Sequence, residues 1–254
     1  MNYESTLAAL NLQAVLPNLA DLVRLDPTAA GIAAERDIVI QFAVRNGPAA
    51  QVAFKGGVCT VTTDKGAEAD VKLFFTSCGH LNRMFNNQAN PIPVKGFTKL
   101  GYLAKSFKKI TDRLEYFLTP SDQLLAQPDY MAVNTRLTLN TAARAICVLV
   151  EGDRAARAVA AGIPEGTIML KVLPDGPAAA ISFRGRKAVM TPGEAEKPTA
   201  LMLMKDLKTA NDLLNQKLDP FAAIALGDIM IRGQTPMIDC LDLILDRIPH
   251  YLKP

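Results

Sequence analysis

Side chains able to do acid–base, nucleophilic or metal chemistry are few and scattered in this chain. Histidine occurs at His80 and His250, and cysteine at Cys59, Cys78, Cys147 and Cys240, with no CxxC pair. Cys78-x-His80 offers two ligands where a structural zinc wants four, so no metal site is expected. The patterns GxSxG, GxxxxGK[ST] and HExxH are absent. A catalytic centre needs convergent titratable groups, and none is legible. The expectation is a non-catalytic protein without a cofactor.

What the sequence does offer is apolar surface at regular spacing. In the first half the candidates for an apolar pocket are Phe54, Phe75, Leu81, Met84, Phe85, Phe107, Ile110 and Leu114. In the second they are Phe183, Met202, Met204, Leu213, Leu214, Phe221, Ile224, Met230, Met237, Leu241 and Ile244. Such stripes read either as plain core or as the pliable wall of a lipid pocket, since methionine adapts to irregular shapes. Burying each methylene of a ligand contributes roughly 0.8 kcal/mol. Ordering costs reduce that sum, but no reactive group is needed.

Charge divides unevenly. Segment 95–113 sets Lys95, Lys99, Lys105, Lys108, Lys109 and Arg113 against Asp112 alone, whereas Asp228, Asp239, Asp242 and Asp246 later face only Arg232 and Arg247. These read as solvated faces, or as complementary surfaces on two halves of the protein. A third reading makes Lys105, Lys108 and Lys109 an anion or headgroup site for an anionic membrane surface or an acyl-CoA phosphate.

The elements that must position these residues come from a repeat. NGPAAQVAFKGG at 46–57 returns as DGPAAAISFRGR at 175–186, an offset of 129 that pairs Phe54 with Phe183 and also Leu73 with Met202 and Pro91 with Pro220. AAGI recurs at an offset of 131, and DRLEYFL answers DRIPHYL at 134. Order is kept while the offset drifts, so the chain reads as two copies of one domain, 1–120 and 130–254. At offset 129 Phe42 falls against Lys171, so either a one-residue shift occurs in the first strands or their faces differ.

Each copy opens with Ala- and Leu-rich helical sequence, about 4–33 and 133–161. Four short strands follow, punctuated by Asn46-Gly47-Pro48 and Asp175-Gly176-Pro177, whose glycines serve turns better than phosphates. HLNRMFNNQ and LKTANDLLNQ are amphipathic helices. Asp219-Pro220 reads as an N-cap with proline at the first helical position. A last helix carries Leu103, Phe107, Ile110, Leu114 and Phe117 in one copy and Met237, Leu241, Ile244, Ile248 and Tyr251 in the other. Strands grouped before helices predict an α+β fold, each copy a mainly antiparallel five-stranded sheet covered by helices.

LDPFAAIALGDIMIRG at 218–233, together with the F-K/R-G strands before it, resembles the sterol carrier protein 2 (SCP-2) family, over about 38–118 and 167–252. The resemblance implies tandem lipid-binding domains with an apolar tunnel for a fatty acid, acyl-CoA, sterol or other lipid. The alternative is a structural or interaction module whose tunnel is filled. The first copy departs from the pattern with NPIPVKGFTKLG, where Pro93 is expected to constrain a short helix and Gly96–Gly101 to replace Gly227–Gly233.

Composition sets the outer bounds. The chain has 254 residues, 49% hydrophobic and 21% charged, with a net charge of +3. That is an ordered protein, too weakly basic to suggest nucleic acid. No apolar run is expected to reach spanning length, and the N-terminus lacks the form of a signal peptide. The dispersed cysteines suggest reduced thiols and a cytoplasmic location.

Overall fold

The computed structural model describes residues 2–64, 66 and 68–252. The chain divides into two compact units, Met1–Phe117 and Leu118–Pro254.

Unit 1 begins with α1 (Tyr3–Leu10), a π turn (Asn11–Val15), α2 (Asn18–Leu25) and α3 (Pro27–Ala33). Asn2 caps α1 by accepting the Ser5 N–H, and Asp26 caps α3, where Pro27 occupies the first turn. By length and composition Tyr3–Leu25 would reach across a membrane, contrary to the expectation above. Most of it is buried: α1 lies against α4 (Cys78–Phe85) and α2 against β3 (Val58–Thr62), as a core helix does. The sheet adds β1 (Ile38–Val44), β2 (Ala49–Lys55), β4 (Val71–Phe75) and β5 (Ile92–Lys95), in the order β3-β2-β1-β4-β5. After β5 a 3-10 turn (Phe97–Lys99), α5 (Leu100–Tyr102), a π segment (Leu103–Phe107) and α6 (Lys108–Leu118) run on without a break.

Unit 2 repeats the plan with α7 (Asp122–Leu125), α8 (Pro128–Gly152), α9 (Arg154–Ala160), β6 (Gly166–Val172), β7 (Ala178–Arg184), β8 (Lys187–Pro192), β9 (Ala200–Met204), α10 (Leu207–Leu214), α11 (Pro220–Leu226), β10 (Ile229–Gly233) and α12 (Thr235–Leu245). Its sheet order is β8-β7-β6-β9-β10. In both sheets the central pair, β1–β4 or β6–β9, is parallel and the other pairings are antiparallel. The fold is α+β with mixed, mostly antiparallel sheets. A parallel central pair needs a long crossover, and β2 with β3 provides it here.

Register settles the phase of the first strands. Phe42 pairs with Ala50 and Leu73, and Leu170 pairs with Ala179 and Met202. Leu170, not Lys171, is therefore the counterpart of Phe42, and the offset in the first strand is one less than in the second. The additional residue sits in the hairpin turn. Val44 N–H bonds Pro48 O across the shorter turn, and Val172 N–H bonds Pro177 O across the longer one.

The end of the sheet corrects two further expectations. Pro93 lies inside β5, not in a short helix. Gly96 corresponds to Gly233: both have φ of 83°, and a Cβ at either would strike the carbonyl of the neighbouring strand, Asp70 O at 2.3 Å or Thr199 O at 2.2 Å. Only glycine fits such a close backbone approach. Gly227 instead ends α11 in the left-handed conformation. Unit 1 crosses from α4 to β5 through residues 86–91, whereas unit 2 uses residues 215–228 and houses α11 there. Pro91 and Pro220 are thus not equivalent, and α11 belongs to unit 2 alone.

Candidate ligand site

The residues expected to line a pocket fall into distinct environments. In unit 1, Phe54, Phe75, Leu81, Phe107, Ile110 and Leu114 are buried, and Met84 and Phe85 are half-buried on α4. Four rings fill the space between the sheet and the last helix. Phe42 stacks on Phe75 with centroids 6.4 Å apart and planes within 5°. Phe107 meets Phe42 and Phe54, each at 6.3 Å. Contacts of this geometry add to simple area burial.

Unit 2 builds the same layer from different side chains. Leu170 stands for Phe42, Met204 for Phe75 and Leu241 for Phe107, while Phe183 retains the fourth ring. Met202, Met204, Met237, Leu241 and Ile244 are buried around it, with Leu213, Leu214 and Met230 half-buried at the edge. Stiff planar rings are replaced by branched or unbranched chains, and a thioether with three rotatable bonds repacks more readily than an aromatic ring. The insert α11 touches β10 and leaves Phe221 and Leu226 each 78% exposed and Ile224 38% exposed.

The lysine candidates also separate. Lys108 Nζ bonds Asp112 Oδ1 at 2.7 Å, so it is already partnered. Lys105 and Lys109 are exposed and form no ion pair among the described residues. Lys99 pairs with Asp70, and that bond, with the Val39 N–H, holds the Asp70 carboxyl below its ordinary range. Arg113 pairs with Asp26 at 2.7 Å.

The groups with reactive potential are held in structural roles. His80 Nδ1 accepts the Thr76 N–H at 3.3 Å and Nε2 donates to Asn90 O at 2.9 Å, while the ring packs edge-on to Phe75. Burial pushes the Cys59 and Cys147 thiols up to about 12, so both are protonated and poorly nucleophilic at neutral pH. Among the described residues no three of His, Cys, Asp and Glu gather as a metal set. An open recess of about 640 Å³ includes Arg45, Ser77, Cys78 and Arg83 in its lining, and so holds charged and hydroxyl side chains that the layers described above do not.

Sequence reasoning passed over two duplicated polar clamps. Asn82 on α4 accepts from Asn11 Nδ2 at 3.2 Å and donates to Glu4 Oε2 at 2.6 Å. Asn211 on α10, at offset 129, donates to Asn134 Oδ1 at 2.7 Å and Thr135 Oγ1 at 2.8 Å. Each pins the leading helices to the helix that follows the fourth strand. The second clamp is Asp26 with Arg113, and Asp153 with Arg247. Both aspartates also cap a short helix, accepting the N–H of Ala29 or Ala156. Recurrence of Asn at offset 129 and of Arg at 134 was the available signal.

No protein-family model matches the chain, and no curated protein matches it. Solved structures similar to it include a conserved hypothetical protein of Thermus thermophilus put forward as a sterol carrier protein, at 22% identity and a TM-score of 0.35, covering 44% of this chain and 87% of that one. Others are the sterol carrier protein domain 2 of Helicoverpa armigera (19%, TM-score 0.34, covering 46% and 92%) and a palmitated sterol carrier protein 2-like 2 from Aedes aegypti (17%, TM-score 0.27, covering 39% and 94%). Each matches a stretch about as long as one unit.

Proposed function

We propose that unit 2 binds an apolar ligand of the fatty-acyl or sterol class, without catalysis, and that unit 1 is the structural copy with its interior filled. One observation carries this reading. Three of the four aromatic positions that fill unit 1 are Leu170, Met204 and Leu241 in unit 2. Beside that softer layer stands α11, with Phe221, Ile224 and Leu226 turned to solvent. A ligand enters by displacing methionine side chains and is covered by α11. Apolar burial supplies the affinity.

The test is uptake of a fluorescent fatty acid and a fluorescent sterol by the delipidated full chain. Met204→Phe restores the ring of unit 1 and should lower uptake at least about tenfold, the scale set by losing two buried methylenes. Phe75→Met in unit 1 should not. Should Met204→Phe fold poorly, the exposed pair Phe221→Ser with Leu226→Ser reports on the same site without touching the core. Full uptake by both, with unaltered circular dichroism, would refute the assignment to unit 2.

A further inference from the structure

The open recess of unit 1 is not used by the ligand reading, yet its volume of about 640 Å³ lies within the range of small-molecule sites. It lies where the parallel strands β1 and β4 end. Arg45 follows β1, its N–H donating to Phe75 O at 2.9 Å, and Ser77 lies just beyond β4. Arg83 joins the lining from α4 and Glu4 from α1.

These three are the charged side chains of the lining, two cations against one carboxylate. Glu4 Oε2 accepts the Asn82 amide at 2.6 Å. Arg45 and Arg83 are exposed, and neither forms an ion pair among the described residues. Gly79 keeps the space beside Glu4 and Arg83 open: a Cβ there would lie 3.3 Å from Glu4 Oε2 and 3.8 Å from Arg83 Nη1. Ser77 Oγ accepts the His80 N–H at 3.1 Å, which leaves its own proton for a further acceptor.

Unit 2 has the same backbone corner with different chemistry. Leu173 N–H bonds Met204 O at 2.8 Å, as Arg45 N–H bonds Phe75 O, so Leu173 stands for Arg45. On the following helix Asp206, Lys208 and Asp212 stand for Ser77, Gly79 and Arg83. Lys208 pairs with Asp212. The fold therefore does not require the two arginines, and only unit 1 presents them around an open space. A guanidinium offers a planar fork of donors that matches phosphate, and such charge-assisted bonds are the strong ones. We propose that this recess binds the phosphate group of a monoester, held by Arg45 and Arg83 with Ser77 donating a further bond. The site lies within unit 1 and does not depend on the apolar ligand of unit 2.

Two probes separate a soluble phosphoester from a lipid headgroup: calorimetric titration of the full chain with glycerol 3-phosphate, and flotation with phosphatidylcholine vesicles containing phosphatidic acid. Saturable binding to either supports the site, provided it depends on the arginines. Arg45→Gln and Arg83→Gln should each weaken binding about tenfold or more, the scale of one charge-assisted bond. Arg36→Gln removes the same charge from an exposed position outside the recess and should leave binding unchanged. Gly79→Glu sets a carboxylate beside Arg83. Glutamate is favoured over glycine in a first helical turn, so binding should be lost while the melting temperature is held or raised. Absence of binding to both probes, equal loss with Arg36→Gln, or full binding by Gly79→Glu or by both arginine variants would each overturn the proposal.

Discussion

Replacing Asp153 tests how each unit ties its last helix to its leading helices. Asp153 Oδ1 accepts the Ala156 N–H at 2.8 Å, and Oδ2 accepts from Arg247 Nη2 at 3.1 Å and Tyr251 Oη at 2.8 Å. The side chain is 5% exposed. Burial alone would raise its pKa, but the Ala156 N–H, Arg247 and Tyr251 outweigh it and hold the carboxyl at about 2, against an ordinary 3.8. That interval corresponds to roughly 2.4 kcal/mol at 1.36 kcal/mol per pH unit. Arg247 is a third exposed, and water screening there reduces the figure to about 2 kcal/mol. Because the folded pKa lies below the unfolded one, this stability is complete above about pH 4 and is lost as pH falls toward 2. Asp153→Asn keeps a capping oxygen and should cost about 2 kcal/mol near neutral pH; Asp153→Ala also loses the cap and should cost about 3. Urea unfolding followed by circular dichroism gives the totals. Hydrogen exchange of the α9 and α12 amides places the loss in unit 2, which matters because a two-unit chain need not unfold in one step. A cost below about 0.5 kcal/mol for Asp153→Asn, or an undiminished acid-induced loss of stability in that variant, would refute the reasoning.

The asparagine clamps and the buried thiols give two more expectations. Asn211→Ala removes a donor from the fully buried Asn134 Oδ1 and Thr135 Oγ1, while Asn82→Ala removes a partner of the buried Asn11 and the exposed Glu4; the first should therefore cost more, within about 1–3 kcal/mol, in thermal melts. With pKa values near 12, Cys59 and Cys147 should resist maleimide at neutral pH until urea unfolds the chain; rapid labelling of either in the native protein would contradict its burial.

Much of the architecture could be read from residue order because the chain states it twice. Period-two strands at Val71, Leu73 and Phe75, the capped start at Asp219-Pro220 and the stripe from Leu103 to Phe117 are local patterns, and each appears as an element. The site was legible as a set of side chains but not as a place. Phe54 and Phe221 were equal candidates in the sequence, yet one is fully buried and the other mostly exposed. Burial depends on what packs opposite, which a linear pattern does not record. Nor could spacing reveal that Lys108 pairs with Asp112 while Lys105 and Lys109 form no ion pair among the described residues.

By itself the sequence determined the duplication, the α+β class and the apolar character of each layer, because hydrophobic period and turn residues act over a few neighbours. Only the tertiary structure decided which glycines correspond, that α11 is an insert of unit 2, and that Leu170 rather than Lys171 answers Phe42. The reason is physical. An insertion or a one-residue shift leaves local patterns intact, and only the pairing of strands distant in sequence shows where it fell.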